Sequence, residues 1–159
     1  MPKSNENDKP TGDTLDQSRL THLVGYAASR AAITLRKVFA RHMEPLDLKI
    51  VEFSILMLVA QNPQVNQRQL GPAHDISAPN LGDTLDRMVE RGWVERVRST
   101  RDRRAQHIHL TPAGAQLVQR AEKIAATMEA PALAVLSVAE RALLIELLHK
   151  VASGRGGKR

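Results

Sequence analysis

A chain of 159 residues with 23 Lys and Arg against 17 Asp and Glu has a formal charge of +6, which favours a polyanionic partner. That length suits one domain able to bury about 70% of its unfolded surface. The absence of cysteine excludes disulfides, thiolate metal sites and thiol-based oxidation sensing.

In chain order, residues 1–13 are polar with two prolines and read as a disordered tail, too poor in apolar area to offset its ordering entropy. They hold no apolar core for a signal peptide. The longest strictly apolar run, 55–60, is far too short to span a bilayer, so the reading is a cytoplasmic protein with no membrane partner. Leu20, Val24, Ala27, Ala31, Leu35 and Val38 recur at steps of three and four, predicting a long helix over about 15–42 that Pro45 closes. Asp47 is a candidate cap for the next helix. Residues 51–60 are apolar nearly all round except Glu52 and Ser54, so that helix belongs at the centre of the core.

Asn66 followed by Gln69 has the spacing of a capping box, opening a short helix that Gly71-Pro72 and the His74-Asp75 turn should end. Ser77 is placed to cap its successor. There Leu81, Leu85, Met88 and Val89 form one buried face, while Asn80, Asp83, Thr84 and Arg87 lie off it. Two short helices joined by a tight turn make a helix-turn-helix.

Residues 93–98 and 106–110 then alternate as a hairpin, and the loop between them carries Arg101, Arg103 and Arg104 around one acid, Asp102. From Arg87 to Arg104 seven arginines face three acids, a local +4 that concentrates two-thirds of the whole excess beside the hairpin. A cationic tip of this kind suits a groove lined with phosphates. Thr111-Pro112 opens a helix whose stripe runs from Ala113 to Met128, and Pro131 should end or kink it. Ser137 with Glu140 is a further capping box, leading to Leu144, Leu147, Leu148 and Val151 on the last helix. Residues 153–159, SGRGGKR, read as a basic flexible tail.

These elements define a mainly α fold with a small two- or three-stranded β-wing: a winged helix-turn-helix lobe over 47–111 and a helical dimerisation region over 14–46 and 112–152. The apolar stripes of the first and last helices exceed what one winged domain can cover, and a homodimer on a palindromic double-stranded DNA site accounts for them.

The order of parts resembles the MarR family of winged helix-turn-helix transcriptional regulators over roughly residues 15–152. Its most specific piece is DRRA at 102–105 followed by HLTPAG at 109–114, similar to the family's D-x-R and L-T-x-x-G wing motif; RGWVER at 91–96 is similar to its turn from recognition helix into wing. The resemblance implies that Arg104 enters the minor groove from the wing tip with Asp102 holding its guanidinium, although a pairing that merely stiffens the loop accounts for the same two residues. A narrow minor groove concentrates negative potential, which suits a permanently charged planar group.

The recognition helix departs from the family pattern, with Gly82 and Asp83 where many relatives carry basic or hydroxyl residues, and Pro79 in its first turn. Asp83 cannot meet a phosphate favourably but can accept from a cytosine amino group. Asn80, Thr84 and Arg87 are the candidates for base contact, and Gln67, Arg68 and Ser77 for phosphates; a merely solvated helix face is the alternative for each.

The resemblance also implies a small effector, an aromatic carboxylate or an acyl-CoA thioester, held between the helical region and the winged lobe. His22, Tyr26 and Arg30 form a polar row at i, i+4 and i+8, in which Arg30 suits a carboxylate and Tyr26 a phenol; solvent or a dimer contact explains the row equally well. Phe39, Phe53 and Met57 offer apolar walls, yet residues so spaced are more often core. His107 and His109 share a strand face, but two imidazoles without a third ligand make no metal site. With no nucleophile elbow, phosphate-binding Gly loop or H-E-x-x-H, the chain reads as no enzyme and as needing no cofactor. A ligand-released repressor is the leading reading; a non-specific, nucleoid-type nucleic-acid-binding protein is the alternative.

Overall fold

The structure, a computed structural model, describes residues 15–74, 76–98 and 106–154. They belong to two compact units that divide between Thr34 and Leu35. In the first, α1 (Ser18–Thr21) is a single turn, and α2 (Val24–Met43) starts after a break at His22 and Leu23. The continuous helix expected over 15–42 is therefore interrupted. Leu20, Leu23 and Val24 are all exposed, so no packing compels one continuous helix there.

In the second unit, the end of α2 sends Phe39 and Met43 into the core before a 3-10 turn, Glu44–Leu46, that includes Pro45. Asp47 does not cap the next helix. Its backbone is left-handed, with φ 47°, where it closes the 3-10 turn. The N-cap of α3 (Ile50–Gln61) is Lys49, whose N–H donates to the carboxylate of Glu52 at 3.0 Å. Ile55, Leu56 and Val59 of α3 are buried, as its nearly all-round apolar character requires.

Asn66 and Gln69 exchange side-chain and backbone hydrogen bonds at 2.9 and 3.1 Å, so the capping box forms as read. The helix it opens, α4 (Gln67–His74), continues past Gly71 and through Pro72 rather than ending there. Burial of Leu70 and the close packing of Gly71 against the turn at Ile76 hold this last turn in place. α5 (Ala78–Glu90) buries Leu81, Leu85 and Met88 but leaves Val89 exposed. It ends in a Schellman motif, in which Gly92 takes φ 68° and the amides of Gly92 and Trp93 bond the carbonyls of Val89 and Met88.

β1 (Val94–Arg98) and β2 (Gln106–Leu110) pair antiparallel with Val94 opposite Leu110 and Arg96 opposite Ile108. The α3–α4 connector runs beside β2: Asn66 bridges His107, and Ile108 N–H donates to Val65 O at 2.9 Å. Val94, Ile108 and Trp93 seal the hairpin onto the core.

α6 (Pro112–Met128) places Leu117, Val118, Ala121 and Met128 in that same core, alongside Phe39 and Met43 of α2. The packing thus shows no break at 46/47 or 111/112. α7 (Val138–Ala152) opens on the expected Ser137–Glu140 capping box and buries no residue. Among the described residues, no helix is long and apolar enough to cross a membrane.

Candidate nucleic-acid interface

α5 exposes Asn80, Asp83, Asp86 and Arg87 on the side away from Leu81, Leu85 and Met88. Thr84 is different. It is only 7% exposed, and its hydroxyl donates to Asn80 O at 2.9 Å while accepting from Arg87 Nη2 at 3.1 Å. Thr84 therefore holds Arg87 in place, and its oxygen is committed inside the helix. A short polar side chain one turn before an arginine makes this bond available, which is the signal that sequence spacing offered.

Gly82 is half-buried beside α4: a Cβ there would lie 3.5 Å from Gln67 Nε2. Of the departures from the family pattern, Pro79 and Asp83 are the exposed ones, and Asp83 is the one that carries a charge. Gln67, Arg68 and Ser77 are brought together along one groove of about 850 Å³ between α4 and α5, with Gln67 half-buried and the other two exposed. Ser77 occupies the N-cap position with extended backbone, but its hydroxyl makes no capping bond. Among the described residues the hydroxyl has no other partner, which leaves it available to an outside acceptor.

The arginines around the hairpin divide into two groups. Arg91 reaches back to the turn before α3, donating to Asp47 Oδ2 at 2.7 Å and Asp47 O at 3.0 Å, while its guanidinium carbon sits 3.7 Å from the Trp93 ring centroid. Arg96 pairs with Asp86 of α5 at 2.6 Å, tying the first wing strand to the helix before it. These two cations are neutralised internally. Arg68, Arg87 and Arg98 make no ion pair among the described residues and remain open to an external anion. The partners Asp47 and Asp86 lie 44 and 10 residues away in the chain, so local pattern could not have found them. Arg101, Asp102, Arg103 and Arg104 of the wing loop lie outside the described residues.

The candidate effector residues do not form the single row that their spacing suggested. His22 ends α1, whereas Tyr26 and Arg30 stand on α2, and the Tyr26 hydroxyl donates to Gln17 Oε1 at 2.5 Å. Phe53 and Met57 belong to the second unit, half-buried against its core, where Phe53 meets Phe39 edge-to-face at 5.4 Å. His107 and His109 face each other with ring centroids 6.4 Å apart. His107 Nδ1 lies 2.7 Å from Gln64 O, and because a carbonyl only accepts, that nitrogen carries the proton. Among the described residues no three potential ligands gather around a metal site.

A helix pair crossing at a tight turn, an outward second helix and a two-stranded hairpin packed on its end define a winged helix-turn-helix. A model of the MarR family matches residues 48–105. A putative transcriptional regulatory protein for the hcr operon of Thauera aromatica is 30% identical over 129 residues, covering 80% of this chain and 78% of the relative. Among solved structures, the transcriptional repressor CouR bound to a 23-mer DNA duplex superimposes with a TM-score of 0.83 at 33% identity, covering 88% of this chain and 99% of CouR. CouR bound to p-coumaroyl-CoA gives 0.79 at 31% identity, with coverages of 87% and 98%. The chain belongs to the MarR family and is a DNA-binding transcriptional regulator. The fold expected from the sequence, mainly helical with a small β-wing, is the one observed.

Proposed function

We propose that the protein is a homodimeric cytoplasmic repressor that occupies a palindromic operator until a small aromatic carboxylate, or its acyl-CoA thioester, releases it. The observation that carries this reading is the likeness to CouR, a repressor solved both on a DNA duplex and with p-coumaroyl-CoA, over nearly the whole of its length. Exposed Leu143, Leu144, Ile145, Leu147 and Leu148 on α7 support the homodimer, because an apolar helix face of that size calls for a cover.

In this reading α5 enters the major groove, with Asn80 and Arg87 against base edges and Thr84 fixing the guanidinium of Arg87. Gln67, Arg68 and Ser77 contact flanking phosphates. Arg101, Arg103 and Arg104 reach the adjacent minor groove from the wing, and Asp102 orients Arg104. Toward the effector, Arg30 suits a carboxylate, Tyr26 and His22 a phenol or other polar group, and Phe53 and Met57 apolar contact.

Release requires that the effector bind two subunit arrangements with different affinity. A difference of about 3 kcal/mol lowers DNA affinity roughly 150-fold, enough for derepression. Titrating aromatic acids and their CoA thioesters into a protein–operator complex, followed by fluorescence anisotropy, tests the proposal: at least one should dissociate it, and a complex that survives all of them overturns the effector assignment. Operator DNA should be preferred over random competitor by at least ~10³-fold, whereas equal affinity would favour nucleoid-type packing.

A further inference from the structure

We propose that Asp83 is a specificity-determining residue that selects cytosine at one position in each operator half-site; the proposal rests on the operator-binding reading above. At about 100° per residue, Asp83 falls opposite the buried Leu81–Leu85–Met88 face, nearer the middle of the outward surface than Asn80 or Arg87. Its two acidic companions on α5 differ from it: Asp86 is engaged by Arg96 at 2.6 Å, and Glu90 lies in the last turn, away from the groove-entering end.

Asp83 and Arg87 have the i, i+4 spacing at which an acid and an arginine ordinarily pair. Here Arg87 donates to Thr84 instead, and among the described residues no cation comes within 4.0 Å of the Asp83 carboxylate. The helix therefore presents an uncompensated carboxylate on the turn that also carries Asn80 and Arg87.

Such a group has one favourable use in a major groove. An ionised carboxylate only accepts hydrogen bonds, and phosphates repel it. The groove offers two base donors, the amino groups of cytosine N4 and adenine N6. Each amino group has an acceptor of the paired base on one side, thymine O4 or guanine O6; on the other side adenine N6 has the N7 acceptor, which would oppose the second carboxylate oxygen, whereas cytosine N4 has only a C–H edge. Cytosine is thus favoured. Every sequence without a donor at that position pays the repulsion of the polyanion uncompensated, so the charge weakens wrong sites more than the right one.

The test is enrichment of randomised duplexes by the full-length wild type, Asp83→Ala and Asp83→Asn, followed by anisotropy on single-substituted sites. Wild type should require cytosine at one position per half-site, losing about 5- to 150-fold when that base is changed. Asp83→Ala should flatten the preference there alone. Asp83→Asn should admit adenine, whose N6 and N7 match an amide. Because Asp83 is exposed, both variants should fold as wild type does by circular dichroism, and Asp83→Asn preserves its shape. Two results overturn the proposal alone: unchanged preferences in both variants, or an Asp83→Ala protein that binds every duplex more tightly by one common factor. A wild type that enriches no sequence overturns the operator reading with it.

Discussion

The carbonyl oxygen of Trp93 occupies the space that a Cβ at Gly114 would need: a methyl group built there falls 1.9 Å from it. Thr111 fixes the approach, its N–H donating to that carbonyl at 3.1 Å and its hydroxyl to Gly92 O at 2.5 Å while accepting from Gly114 N–H at 3.0 Å. The L-T-x-x-G segment at 110–114 is therefore a joint. Its leucine pairs with Val94, its threonine caps α6, and its glycine lets the helix seat against the end of α5 and the start of the wing. Gly114→Ala should cost about 3 kcal/mol or more, since backbone rather than a flexible side chain must move. Gly25→Ala, in open space within α2, should leave stability unchanged or raise it by up to about 1 kcal/mol. Urea denaturation of the two variants checks the contrast, and a Gly114→Ala protein as stable as wild type contradicts the packing.

Arg91 ties the end of α5 to the turn before α3 through Asp47, and covers Trp93. Asp47 is largely exposed, so the ion pair itself contributes little; the stacking on Trp93 adds to it. Arg91→Ala should therefore lower stability by about 1 kcal/mol and leave the salt dependence of DNA binding as it was, because this guanidinium is not presented to phosphates. A drop of one unit in the salt slope would show that Arg91 contacts DNA instead.

Much of this architecture was legible because its signals are local. The capping boxes at Asn66 and Ser137, the cap at Thr111 and the strand alternation all depend on residues within four positions of one another, and all formed. What escaped depends on tertiary neighbours. Asp47 has the composition of an N-cap, yet Glu52 and Lys49 perform that task while Asp47 bonds a residue 44 positions later. The stripe around Leu20 has helical period, but exposure left nothing to keep α1 and α2 continuous. At the interface, the pattern separated outward from inward residues of α5 with two exceptions: Val89, which is exposed, and Thr84, whose polarity is satisfied within its own helix and so needs no solvent.

If Arg104 lies among minor-groove phosphates and Arg87 reads a base, their alanine variants should fail differently. Arg104→Ala should weaken binding to all duplexes and lower the salt slope by about one unit, whereas Arg87→Ala should cost about 1 to 3 kcal/mol on the operator and relax specificity at one position. Affinity measured from low to high salt on matched and mismatched sites separates them. Unchanged affinity in Arg104→Ala would count against the wing assignment.

At the start of α7, the backbone N–H of Ser137 donates to Glu140 at 2.8 Å, and this bond, followed by the Ser137 hydroxyl, holds the Glu140 carboxyl below its ordinary 4.5. A depressed folded-state value means that the native chain binds fewer protons than the unfolded chain in mild acid. The contribution of the cap is thus complete above the unfolded value and is lost as pH falls through the folded one. An NMR titration of the Glu140 side chain should give a midpoint under 4.5, and Glu140→Gln should remove that part of the acid sensitivity of α7. A midpoint at or above 4.5 would mean that the cap does not hold in solution.

α7 offers the sharpest test of assembly. Leu144, Leu147, Leu148 and Val151 fall on one side at helical spacing, as the sequence indicates, and all are between 39 and 70% exposed in the single chain. Leu143 and Ile145 widen the apolar surface beyond one stripe. Leaving so much leucine in water forgoes about 25 cal/mol for each Å² that a second subunit could cover. Placing a carboxylate there makes covering it costly, because a buried unpaired charge outweighs what its apolar neighbours gain. Leu147→Glu combined with Leu148→Glu should therefore convert a dimer to a monomer in sedimentation velocity, with the core around Ile55 and Met88 still folded by circular dichroism. Operator affinity should fall with it, since two recognition helices on one palindrome depend on their linkage. A wild type that sediments as a monomer, or a doubly charged variant that remains a dimer, would remove α7 from the interface.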